Sequence, residues 1–169
     1  MDLKSLFQQH YKEFQDIIES KEFYFTKAKE VWDEWNNYKL DPNFLAQLIS
    51  MDYEDFKNSN DVNIIKIKDL LFRLISYCDM NASEKNQYND YPDKRTIAKT
   101  GIRQNAWITQ LLKYKKSPTS ITDSISNIIK YIQNPKLNLP ILSEVHKELI
   151  SKRLFHIQYD KQKFHNKFM

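Results

Sequence analysis

Three consecutive polar residues, Arg103, Gln104 and Asn105, follow closely on the protein's single glycine, Gly101. Their side chains suit DNA base edges: a guanidinium spans the O6 and N7 acceptors of guanine, and a Gln or Asn amide pairs with N6 and N7 of adenine. Around them stand Lys94, Arg95, Lys99, Lys113, Lys115 and Lys116, cations of the kind that hold phosphates. The chemistry expected of this stretch is recognition of a polyanion.

Covalent catalysis finds no matching set of residues. His10, His146, His156 and His165 are scattered, without the spacing of metal-ligand pairs. A glycine-rich phosphate loop cannot be built from one glycine, and no nucleophile sits in an elbow motif. Asp52, Glu54 and Asp55 cluster but lack the partner ligands of a known metal loop. We therefore expect a protein that is not an enzyme and that needs no cofactor or metal.

The elements that must position the polar triplet are helices. A glycine between two helical patterns supplies a positive φ for a reversal, so Ile97–Thr100 reads as the end of one helix and Arg103–Lys116 as the next. Ile97, Ala98, Ile102, Ile108 and Leu111 would lock two such helices at a steep angle, a helix-turn-helix-like corner with the triplet at the start of its second helix. Gly101 follows Ala98 by three positions rather than the usual four, and an ordinary helical corner accommodates the same residues. Trp107 and Tyr114 read either as core or as stacking groups, with core favoured by their helical spacing.

One glycine and five prolines among 169 residues are too few for the turns of a β protein, and 41% hydrophobic residues can fill a sizeable core. The expected fold is all-α, a compact multi-helix bundle. One cysteine, Cys78, allows no internal disulfide and points to a reducing compartment. Polar residues stand where a signal peptide would be apolar, and no apolar run reaches bilayer length, so a cytoplasmic protein without a membrane partner is expected.

The net charge of +4 conceals a division. Residues 1–60 hold seven Lys and Arg against twelve Asp and Glu, whereas residues 91–169 hold fifteen against five. A block of positive charge is the electrostatic footprint of a nucleic-acid partner; lysines that merely solvate helix faces are the bland alternative. Residues 1–80 read as an acidic helical half, 81–92 as a linker, 93–155 as a basic helical half and 156–169 as a basic tail or linker.

Along the chain, Leu3, Leu6, Phe7, Tyr11, Phe14, Ile17 and Ile18 give the apolar stripe of a first helix. A second carries Phe25, Ala28, Val31, Trp32 and Trp35, the tryptophans reading as core anchors. Asp41-Pro42 opens a third with Phe44, Leu45, Leu48 and Ile49 on its buried side. Residues 51–61 read as a loop or a short helical turn. Val62–Met80 is the most apolar helix, with a polar strip of Lys66, Asp69 and Arg73. Ile121, Ile125, Ile128, Ile129 and Ile132 mark a helix that Asn134-Pro135 stops. Ser143 caps a last helix carrying Val145, Leu149, Ile150, Leu154 and Phe155, and the tail beyond reads as a short strand, a frayed helix or a linker.

YFTKAKEVWDEW at residues 24–35, RTIAKTGIRQNAWITQLLKYK at 95–115 and ILSEVHKELIS at 141–151 together resemble the helical amino-terminal regions of McrB-type restriction proteins. The resemblance implies a DNA-targeting module, with a motor or nuclease subunit outside this chain as a further partner. It assigns no site residues. The expected function is DNA recognition in a restriction or phage-defence system, through Lys94, Arg95, Lys99, Arg103, Gln104, Asn105, Lys113, Lys115 and Lys116. A helical protein–protein interaction module, an adaptor or a phage-encoded inhibitor of a host complex, is the rival reading.

Overall fold

Side-chain caps set where most of these helices begin. The computed structural model describes residues 24–79, 82, 94–134, 137–138, 141, 143–161 and 163–164, without the side chains of residues 24–26, 94 and 96. Among the described residues there are seven helices and no strand: α1 (Tyr24–Asn37), α2 (Pro42–Ser50), α3 (Tyr53–Asn58), α4 (Val62–Cys78), α5 (Lys94–Lys116), α6 (Asp123–Gln133) and α7 (Glu144–Leu154). Asp41 accepts from the Asn43 and Phe44 amides at 2.9 and 3.0 Å ahead of Pro42, and Asp61 from Asn63 and Ile64 at 2.8 and 3.1 Å. Asp52 caps α3 through the Glu54 amide at 2.9 Å, so this acid is a helix start. Each such cap satisfies amides that the first turn leaves unpaired and contributes about 1 kcal/mol. The expected helix over Leu3–Ser20 and the expected linker, Ala82 apart, lie outside the described residues.

The all-α expectation holds, and the acidic and basic halves share one core. Ala28, Val31, Trp32 and Trp35 of α1 meet the α4 stripe of Ile64, Ile67, Leu70, Leu71, Leu74 and Ile75. Helix α1 also packs on α6, through the expected isoleucines 125, 128, 129 and 132, while α5 packs on α2 and α4. Charge division along the chain is therefore no division of the core.

The reversal expected at Gly101 does not occur. Lys94–Lys116 is one helix of 23 residues, and Gly101 lies inside it without a positive φ. The reason is a buried stripe that runs past the glycine: Thr100, Gln104, Trp107, Ile108, Leu111 and Leu112 recur at three- and four-residue steps and are all buried. Each large apolar member contributes about 1.5–3 kcal/mol by burial, whereas an interior glycine costs only about 1 kcal/mol. Ile97 and Ile102, expected to lock a corner, are 41% and 71% exposed.

Helix α7 is turned inside out. Its buried residues are Lys147 and Ser151, while Val145, Leu149 and Leu154 are exposed. The residue that fixes this orientation is Glu144, which accepts from the Tyr159 hydroxyl, from Asn127 Nδ2 at 2.7 Å and from Lys147 Nζ at 2.9 Å. Phe164, 2% exposed, closes over the cluster, its ring 5.8 Å from Lys147 Nζ and edge-on to Tyr159. A buried ammonium needs such a partner, because desolvation alone would expel it. Neither a helix nor a strand, the described tail is a strap, tied further by Lys161 to Asp123 at 2.7 Å.

Two outcomes test these features. Because a methyl group at Gly101 would meet only the Tyr53 ring, at 3.6 Å, Gly101→Ala raises stability by about 0.5–1 kcal/mol in urea unfolding; a glycine at a reversal would lose stability instead. Burial acts to raise the Glu144 carboxyl, but the hydrogen bonds from Tyr159, Asn127 and Lys147 outweigh it and hold the group at about 2. Its stabilisation is complete above the ordinary value of 4.5 and is lost as pH falls from there toward 2. The stability gap between the parent and Glu144→Gln thus narrows across that window in acid titrations followed by circular dichroism.

Candidate nucleic-acid interface

The residues of the expected site part company on α5, because a helix turns successive side chains by about 100°. Gln104 faces inward, 3% exposed, and its Oε1 accepts from the Tyr53 hydroxyl at 2.6 Å. It has no base edge to read and is removed from the site. Arg103 is half-exposed but donates through Nε and Nη2 to Asp79 Oδ2 at 3.0 and 2.6 Å, and Trp107 Nε1 donates to the same oxygen at 3.0 Å. Trp107 is therefore core, 5% exposed with its N–H satisfied. Tyr114 is half-buried, its ring edge-on to Trp32 at 5.1 Å, so the core reading holds for both aromatics.

Lys115 is not a surface cation either. Its ammonium donates to Trp35 O and, at 2.8 Å, to Asn36 O, carbonyls in the last turn of α1, and lies 4.9 Å from the Trp35 ring centroid. A charge at that place adds a donor in the last turn, where the Tyr38 amide also reaches Trp35 O at 3.2 Å, and offsets the negative end of the helix dipole. Desolvation pulls its pKa down from the ordinary lysine value. Lys115 caps α1, and we withdraw it as a phosphate contact.

What remains is a different set from the one the triplet suggested. Arg95, Ala98, Lys99, Ile102, Asn105, Ala106, Thr109, Lys113 and Lys116 recur at three- and four-residue steps opposite the buried stripe, each exposed or half-exposed. The helix contains seven Lys and Arg and no Asp or Glu. Lys99, Lys113 and Lys116 form no ion pair among the described residues. From Arg95 to Lys116 this face runs about 30 Å at the helical rise. Lys94 stands at the start of α5, where only its backbone is described.

Ala106 and Thr109 have no place in the sequence reading, and Ile102, expected inside a corner, lies on the outward face at 71% exposure. The signal that could have found them was the unbroken helical period of the whole acid-free stretch, which the glycine seemed to interrupt. Burial, with the Asp79 carboxylate beside it, pushes the Cys78 thiol up to about 12, so it is no nucleophile at neutral pH. Among the described residues no three His, Cys, Asp or Glu come together as a metal site would need, and no described helix is long and apolar enough to cross a membrane.

Comparison with protein-family models, with curated proteins and with solved structures gives no match for this chain.

The two neighbouring lysines separate cap from surface. Lys115→Met lowers stability by about 1–2 kcal/mol through the lost charged hydrogen bonds, whereas Lys116→Met changes it by less than about 0.5 kcal/mol. Urea midpoints of the two variants measured side by side give the comparison.

Proposed function

We propose that this protein is a DNA-binding module whose contact surface is the outward face of α5. The observation that carries the reading is the continuous, acid-free face of about 30 Å, with Lys99, Lys113 and Lys116 outside any described ion pair. A helix is an element that the major groove of B-form DNA admits, and a rigid one fixes the spacing of its cations. Phosphate attraction then supplies affinity, through release of the counterions condensed on the nucleic acid. In the setting that the McrB-type resemblance implies, a cytoplasmic restriction or phage-defence system, the module would bring a motor or nuclease subunit to its target. The resemblance alone carries that part.

A second reading, a protein–protein interaction module, is favoured by one specific observation. Val145 and Leu149, one turn apart on the same face of α7, are 62% and 38% exposed, an apolar strip without cover. A helical partner would cover that face.

Fluorescence anisotropy of the full chain with a labelled duplex, repeated over a range of salt, decides between them. Binding weakens with salt, and replacing Lys99, Lys113 and Lys116 together by alanine lowers the slope of log K against log salt by about 3. Lys115→Met leaves that slope unchanged. Failure to bind any duplex at low salt removes the DNA reading and leaves the α7 face.

A further inference from the structure

We infer that α5 reads A·T base pairs in the major groove of double-stranded DNA, with Asn105 as the adenine reader. The inference rests on the DNA reading above and names the substrate within it. Its basis is how the outward face is divided. Lys99 and Lys113 stand about 21 Å apart along the axis, and the outward positions between them, Ile102, Asn105, Ala106 and Thr109, are uncharged. The B-form major groove is about 12 Å wide, so each lysine can reach outward to the strand on its own side while the neutral stretch meets base edges. The minor groove, about 6 Å wide, does not admit a helix about 10 Å across.

The neutral stretch fits one base pair better than the other. Asn105 is exposed, and its amide matches the N7 acceptor and N6 donor of adenine. The Thr109 hydroxyl lies 3.4 Å from Asn105 Oδ1 and steadies that amide, while the second lone pair of Oδ1 is left for the N6 proton. Ile102, 71% exposed, is an apolar group of the size that packs on a thymine methyl, and Ala106 is small enough to let the helix sink toward the bases. Arg103, the arginine of α5 nearest Asn105, is instead held by Asp79, and Arg95, the other arginine of the helix, stands ten residues and about 15 Å before Asn105. A·T pairs are thus met by a matching amide and an apolar contact, and G·C pairs by neither.

Backbone shape extends the argument to the type of nucleic acid. An A-form RNA duplex has a major groove too deep and narrow for side chains to read, and a single strand has no groove to hold both lysines. The substrate class is B-form duplex DNA.

The test is anisotropy at low salt with the full-length protein and five probes of equal length: an A·T-centred DNA duplex, the same duplex with deoxyuridine for thymine, a G·C-centred duplex, an A·U-centred RNA duplex and the single strand. The A·T duplex binds at least about tenfold more tightly than the G·C duplex, and Asn105→Ala, a change at an exposed position, brings the two together without altering the salt slope. Loss of the thymine methyl weakens binding about fourfold, and Ile102→Ala abolishes that difference. Lys99→Ala, by contrast, weakens both DNA duplexes alike. Equal affinity for A·T and G·C duplexes, or a preference that survives Asn105→Ala, overturns the inference while phosphate binding stands. RNA or single-stranded probes bound as tightly as the A·T duplex overturn it too. Absence of binding to every probe removes the DNA reading itself.

Discussion

The end of α1 is the point where the two halves of this chain are held in register. Lys115, near the carboxyl end of α5, donates to carbonyls in the last turn of α1 and lies over the Trp35 ring, while Tyr114 beside it meets Trp32. The last turn of α1 carries the negative end of its helix dipole, which a cation offsets, and the ammonium needs acceptors because it is partly desolvated. Each thus meets the other's requirement across some eighty positions of sequence. The stripe of Trp107, Ile108, Leu111 and Leu112 can reach the core only with the helix anchored in that rotation. Which face of α5 looks outward is therefore settled by contacts on its inner side.

That dependence changes the character of the candidate site. A helix-turn-helix corner would have presented one short polar turn, whereas a single helix presents a rigid strip with cations at both ends and small or neutral residues between. Side chains on a regular element are held more closely than those on a loop, and groove recognition depends on such spacing. Arg103 and Gln104 then serve the scaffold: one joins α5 to Asp79 at the end of α4, and the other accepts from Tyr53 of α3. Polar residues suited to base recognition are equally suited to internal hydrogen bonding, and their position around the helix decides which use they serve.

Helix α7 shows the same principle in reverse. Its polar residues are inside because Glu144 gathers three donors, and an assembled set of charged hydrogen bonds can hold what one polar group could not. The tail that supplies Tyr159 and Phe164 is thereby part of the fold. The same rotation leaves Val145 and Leu149 facing water.

Much of this was readable from the sequence. Low glycine content and periods near 3.6 residues gave an all-α fold, and the caps Asp41 and Ser143, together with the stripes of α1, α4 and α6, were visible because they depend on neighbours three or four positions away, whereas the caps Asp52 and Asp61 read only as loop acids. The basic carboxyl half was equally plain from counting. Tertiary structure alone decided three matters. Gly101 stays inside a helix because burial of a stripe outweighs the weak preference of one residue. Gln104 and Lys115 leave the surface because Tyr53 and the end of α1, distant in sequence, come to lie beside them. Helix α7 turns its polar side inward because its partners, Asn127 and Tyr159, lie on other segments. Local pattern fixes which residues share a face, but only the contacts between distant segments determine which face is buried.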